Sequence, residues 1–95
     1  MKRSDKVNSL HDGIQHLYFF KNGFGASVIS HSFSYGGDEG LWELAVIRHN
    51  GSAGYDLCYS TPITNDVEGW LTEDMVEEYL DRIEKLDSEG KENES

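Results

Sequence analysis

Hydrophobic and polar positions alternate along the first two thirds of the chain, as they do in half-buried strands. Turn signals separate the alternating runs: Asn22-Gly23, a glycine-rich stretch over 34–40, and a second Asn-Gly pair at 50–51. Asn and Gly both tolerate the positive φ that tight hairpins need. The pattern therefore predicts four strands joined in chain order as an antiparallel meander, over residues 16–20, 24–31, 41–48 and 55–59.

The spacing of apolar positions changes from two to about 3.6 residues after Pro62, which cannot donate to a strand ladder. Thr72 is a suitable N-cap, and acidic residues follow it where the helix dipole favours negative charge. Val76, Leu80 and Ile83 fall on one face of a helix predicted over residues 73–86. The predicted fold is α+β, with a four-stranded antiparallel sheet and one C-terminal helix packed on one face.

Strand alternation predicts which side chains meet that helix. The predicted core partners are Trp42, Leu44, Val46, Phe24, Ala26, Val28, Tyr55, Leu57 and Tyr59. The opposite face carries Phe19, Ile29, Ile47 and Cys58, which is more apolar than a solvated face needs to be. Two interpretations stay open for it. The residues are either scattered surface hydrophobes or covered by the N-terminal leader, or else they form a contact surface for a partner or a homodimer.

The length of 95 residues predicts one domain. We assign residues 1–15 to a flexible leader, 16–87 to the α+β domain and 88–95 to a disordered acidic tail. The sequence has neither an apolar run long enough to span a membrane nor the apolar stretch of a secretory signal, so no membrane partner is expected. The single cysteine favours a reducing compartment.

The charge is strongly negative and unevenly placed. Acidic residues number 18 and basic residues 8, for a formal net charge of −10. Residues 66–95 hold twelve of the acidic residues and three of the basic ones. Direct nucleic-acid binding is therefore not expected, because phosphate neutralisation needs clustered Lys and Arg. Either solubility or a basic partner surface accounts for the acidic end.

Four segments together resemble a group of small proteins encoded by bacteriophages. They are 22–28 (NGFGASV), 34–37 (SYGG), 40–46 (GLWELAV) and 61–72 (TPITNDVEGWLT). The resemblance covers roughly residues 20–86. It implies a phage origin and a place in the host bacterial cytoplasm, and it carries over no catalytic or binding residue.

The chain offers weak candidates for catalytic or metal chemistry. His11 and His16 are five residues apart, a spacing that fits no common zinc motif. Cys58 lies within a predicted strand, where a packed thiol is expected rather than an activated one. The glycine-rich stretches join strands and carry Asp38 and Glu39, which repel phosphate. We therefore expect no enzyme activity, no metal site and no cofactor.

The remaining features favour non-enzymatic binding to a host bacterial protein. We expect an inhibitor of a host defence or nucleic-acid-handling system, of the anti-CRISPR or anti-restriction type. In one version, helix carboxylates imitate the phosphates of DNA. Two other classes stay open: an assembly accessory that oligomerises through its sheet, and a protein that sequesters a nucleotide. The predicted partner-binding residues are Glu73, Glu77, Asp81 and Glu84 on the helix, with Tyr35, Asp38 and Trp70.

Overall fold

The computed structural model describes residues 2–10, 12–49, 54–58, 67–87 and 89–91. It is an α+β structure in which an antiparallel sheet packs against one C-terminal helix. The strands are β1 (Lys6–Leu10), β2 (Gly13–Phe19), β3 (Phe24–Ser30), β4 (Trp42–His49), β5 (Tyr55–Leu57) and β6 (Glu68–Leu71). A short 3-10 helix spans Gly37–Glu39, and helix α1 spans Glu73–Glu84.

Strands β1 to β5 follow one another across the sheet in chain order, each antiparallel to the next. This arrangement confirms the predicted meander over its central strands. Strand β6 pairs with the first part of β4, while β5 pairs with its last part. The register of the β4–β6 pair shifts between Trp42 and Leu44. Through its pairing with β4, strand β6 lies beside the long β3–β4 connection.

Helix α1 begins as predicted, because the Thr72 side chain accepts a hydrogen bond from the backbone N–H of Met75 at 3.3 Å. Val76, Leu80 and Ile83 are fully buried and face the sheet. The helix ends at Glu84, two residues before the predicted end. Burial of this apolar stripe is the main stabilisation that holds the helix on the sheet. The sheet side of the core is formed by Tyr18, Phe24, Ala26, Val28, Leu44, Val46 and Leu71.

Two strands lie outside the predicted set of four. Residues 6–10, assigned by the sequence pattern to a flexible leader, form β1, which pairs with β2 along its whole length. The segment is polar, so its pairing comes from backbone hydrogen bonds to a neighbour rather than from an apolar period of its own. Residues 68–71 form β6, where Gly69 and a residue with positive φ obscure the alternation.

The faces of the last predicted strand are opposite to the prediction. Leu57 lies opposite Ile47, so it shares the face turned away from α1, and Tyr55 and Leu57 are exposed. Cys58 instead packs against the helix-side core. A shift of one residue in register reverses every side chain of a strand. Tyr59 lies outside the described residues.

The sheet face opposite α1 is less accessible than predicted. Ile47 and Leu17 are 0% and 2% exposed, so neither offers a contact to a second copy. Phe19 and Ile29 are half-buried. The apolar excess on this face is therefore largely buried within the chain.

The predicted disordered tail is only partly within the described residues. Residues 89–91 form a turn in which Asp87 donates its backbone N–H to the carbonyl of Lys91 at 2.9 Å. Gly90 is buried in this turn. Residue 88 and residues 92–95 lie outside the described residues, as do residues 59–66 and residues 50–53 of the predicted turn.

Candidate functional site

The backbones of Tyr35 and Trp70, two of the predicted partner-binding residues, are in contact although 35 positions separate them in the sequence. Tyr35 belongs to the β3–β4 connection and Trp70 to β6. The backbone N–H of Trp70 donates to the carbonyl of Tyr35 at 3.1 Å. Their side chains are 59% and 57% exposed. We call Tyr35 and Trp70 the aromatic pair.

Glycines allow the two backbones to approach so closely. A Cβ at Gly36 would lie 3.0 Å from the Cα of Trp70, and a Cβ at Gly69 would overlap the Cβ of Tyr35. Only the absence of a side chain at these positions permits the contact. The Glu43 carboxylate accepts a hydrogen bond from the backbone N–H of Tyr35 at 3.2 Å. The pair is therefore fixed through its backbone while its rings face solvent.

Trp70 has an unusual backbone conformation. Its φ is +59°, and it is the only described residue other than glycine with a positive φ. The left-handed region costs an ordinary residue about 1–2 kcal/mol. Such conformations persist only where the surrounding structure holds them, and they cluster at functional sites. Here the neighbouring Leu71 is buried in the core while Trp70 is exposed.

Exposed carboxylates lie next to the aromatic pair. The 3-10 helix that follows Gly36 carries Asp38 and Glu39, both exposed. Within the described part of the chain, neither carboxylate forms a hydrogen bond or an ion pair. The sequence contains no Lys or Arg between residues 30 and 47 or between residues 67 and 81. The two segments that carry the pair therefore hold carboxylates and neither Lys nor Arg.

Phe33 adds a third exposed aromatic ring to the same connection, at 80% exposure. Its backbone N–H donates to Nδ1 of His31 at 3.0 Å. The predictions from sequence did not include Phe33. Its position in a polar segment, between Ser32 and Ser34, is the sequence feature that indicates an exposed ring.

The four predicted helix carboxylates do not form an uninterrupted negative line. Lys2 forms ion pairs with Asp81 and with Glu84, the latter at 3.3 Å. The hydrogen bond from Lys2 lowers the pKa of Asp81, and Asp81 in turn raises the pKa of Lys2. At the other end, Glu73 lines a groove that also contains Arg3 and Lys6. Positive charge therefore lies beside both ends of the line.

Glu77, in the middle of that line, lies near the phenol of Tyr18. Burial is the main reason that the pKa of Tyr18 is raised, and the negative charge of Glu77 adds to the effect. The Tyr18 hydroxyl donates to the backbone carbonyl of Lys2 at 2.8 Å. This part of the helix face is thus partly covered by the chain's own N-terminus.

The N-terminal segment, residues 2–5, makes a series of such contacts with the sheet. The Asp5 carboxylate accepts from the backbone N–H of Phe19 at 2.7 Å, and Ser4 Oγ lies 2.8 Å from Nδ1 of His16. Burial lowers the pKa of His16, whose ring centroid lies 5.5 Å from that of Trp42. No periodic pattern predicts these contacts, because each depends on a single polar group far away in the chain.

The described residues contain no group of three or more His, Cys, Asp or Glu side chains placed to hold a metal ion. Cys58 is half-buried against the core. Asp12, whose pKa is lowered by the hydrogen bond that it accepts from the backbone of Ser32, stabilises the turn after β3. These polar groups have structural partners, which leaves the aromatic pair with Asp38 and Glu39 as the candidate functional site.

Comparisons with known proteins add no assignment. No protein-family model matches the chain, and neither a curated protein nor a solved structure matches it. Among the described residues, no helix is long and apolar enough to cross a membrane.

Proposed function

We propose that this protein acts without catalysis, by binding another protein through the aromatic pair. The observation that carries the proposal is Trp70: its indole is largely exposed, and its backbone is held in a costly conformation. Folding alone would favour glycine at such a position. A contact between the Trp70 side chain and another protein would explain why a large aromatic residue occupies this position.

The residue types agree with a binding surface. Trp and Tyr are the residues that most often dominate the binding energy of protein interfaces, because each buries a large area and keeps a hydrogen-bonding group. No described residue hydrogen-bonds the Tyr35 hydroxyl or the Trp70 indole N–H. Both groups remain available to a partner.

The proposed partner is a host bacterial protein, in the cytoplasm of an infected cell. The resemblance to small bacteriophage proteins supports this setting, and the net charge of −10 supports a partner with a basic surface. Proteins that handle nucleic acid carry such surfaces. The proposed effect is inhibition of a defence or nucleic-acid-handling system, because a bound domain of 95 residues blocks access to the surface that it covers.

The acidic helix has a supporting role in this proposal. Its field attracts a basic partner over distances that short-range contacts do not reach. Lys2 lies between Asp81 and Glu84, so imitation of DNA by the helix alone is the weaker version of the proposal. A single helix face is also small compared with the roughly 800 Å² that each partner contributes to a standard interface.

Affinity capture from lysate of the bacterial host tests the proposal. The bait is compared with a double variant, Tyr35→Ala with Trp70→Ala. A matched control is Tyr55→Ala with Leu57→Ala, which removes two other exposed apolar side chains, on β5. We expect one or more host proteins to be retained by the wild type and the control and lost by the aromatic-pair variant. Retention of the same proteins by all three baits would contradict the proposal.

A further inference from the structure

We infer that the aromatic pair is a binding site for an arginine side chain of the partner. The inference rests on the proposed function and adds the chemistry of recognition. It assigns the guanidinium group to the faces of Tyr35 and Trp70, with Asp38 and Glu39 as its counter-charges.

The charge of this surface favours a cationic partner group. Asp38 and Glu39 are exposed and without partners among the described residues, and Glu43 lies in the same connection. An apolar partner that covered the pair would bury these carboxylates without compensation, which is costly. An anionic partner, such as a nucleic acid, would be repelled. A cationic group satisfies the carboxylates and the electron-rich faces of the rings together.

The chain's own arginines do not fill the site. The Arg48 guanidinium lies over the ring of Phe24, 5.0 Å from its centroid. Arg82 lies 5.9 Å from the centroid of Tyr79. Arg48 and Arg82 lie over other rings, and Arg3 lines grooves beside the N-terminal segment. The aromatic pair therefore stays available to a guanidinium from outside.

Arginine fits the site better than lysine does. A guanidinium is planar and weakly hydrated, so it stacks on an aromatic face while its edge donates two hydrogen bonds to a carboxylate. An ammonium is compact and strongly hydrated, and it loses more hydration on the same surface. The neighbouring carboxylates and exposed rings of this site offer both kinds of contact.

The test is a titration of the full chain, observed by NMR at the indole N–H signals, with blocked tetra-arginine as the probe. Loss of one signal in Trp70→Phe identifies Trp70. At about 0.15 M salt, where charges beyond about 8 Å are screened, we expect a saturable shift of the Trp70 signal. Tetra-lysine should bind at least about threefold more weakly, and tetra-glutamate should give no shift.

Two charge variants locate the site. Asp38→Asn with Glu39→Gln should weaken tetra-arginine binding by about threefold to tenfold. Asp56→Asn with Glu89→Gln removes the same formal charge from exposed positions outside the site and the acidic helix, and should change the affinity by less than about twofold. The backbone amide NMR spectrum of each variant confirms, before the titration, that the variant is folded.

Three results would overturn the inference. They are no saturable shift at Trp70, equal binding of the two cationic peptides, and equal weakening by the two charge variants. If any of these occurs while the aromatic-pair variant still loses its host protein in the capture experiment, the proposed function stands and the partner binds without a specific arginine contact.

Discussion

The side chain of Asn22, in the β2–β3 turn, donates a hydrogen bond to the backbone carbonyl of Ile83 in the last turn of helix α1, at 2.8 Å. The same amide group reaches the carbonyl of Leu86 at 3.0 Å, and its oxygen accepts from the backbone N–H of Phe24 at 2.9 Å. One residue therefore closes the hairpin and caps the helix end, where carbonyl groups lack partners within the helix.

Asn22→Asp separates these two roles. The carboxylate keeps the acceptor for Phe24, loses the donors to the helix and places negative charge at the negative end of the helix dipole. We expect the free energy of unfolding to fall by about 1–3 kcal/mol in chemical denaturation. A change below about 0.5 kcal/mol would show that the cap contributes little to stability.

The pH dependence of stability should contain a contribution from His16. Burial lowers its pKa below the ordinary value of 6.5, so the unfolded chain binds a proton more readily than the folded chain does. The stabilisation is complete above that value and is lost as the pH falls through the lowered pKa. His16→Asn keeps an acceptor for Ser4 but does not titrate, so unfolding midpoints between pH 7 and pH 5 should vary less in the variant. Identical pH profiles would contradict this assignment.

The acidic helix should act on the rate of association. Replacement of Glu73, Glu77 and Glu84 by Gln, with Asp81→Asn, leaves the buried stripe of α1 intact, so the variant should fold. We expect slower association with the captured host protein, and a weaker dependence of that rate on salt, with little change in dissociation. Unchanged association kinetics would mean that the acidic end serves solubility alone.

Much of the fold follows from patterns within single segments. The alternation in β3 and β4, the Thr72 cap and the Val76–Leu80–Ile83 stripe are local features, and the structure confirms them. Strand β1 was not predictable in this way, because Lys6–Leu10 becomes a strand only by pairing with β2. The inverted faces of β5 depend on its register with β4, which is set by strand pairing and not by a local pattern.

The arrangement of the candidate site was not predictable from the sequence, although three of its residues are candidates there. Tyr35, Asp38 and Trp70 were singled out from the sequence, whereas the contact between Tyr35 and Trp70 depends on the pairing of β6 with β4. The ion pairs of Lys2 with the helix carboxylates were not predictable for the same reason, since 79 positions separate Lys2 from Asp81.

The conformation of Trp70 predicts an unusual effect on stability. Glycine adopts positive φ without the steric cost that other residues pay. We expect Trp70→Gly to be more stable than Trp70→Ala by about 1 kcal/mol, the reverse of the usual order of these two residues. Urea denaturation of both variants measures the difference. If the alanine variant is the more stable one, Trp70 is not strained.

The affinity of Trp70→Gly for the host protein captured by the wild type tests the central claim most directly. The variant leaves the backbone of β6 in a conformation that glycine readily adopts, and it removes the whole Trp70 side chain. By calorimetric titration, we expect the affinity to fall by about thirtyfold or more, as expected for an interface hot spot worth about 2 kcal/mol. A fall of less than about twofold in a folded variant would contradict the claim that this protein binds its partner through the aromatic pair.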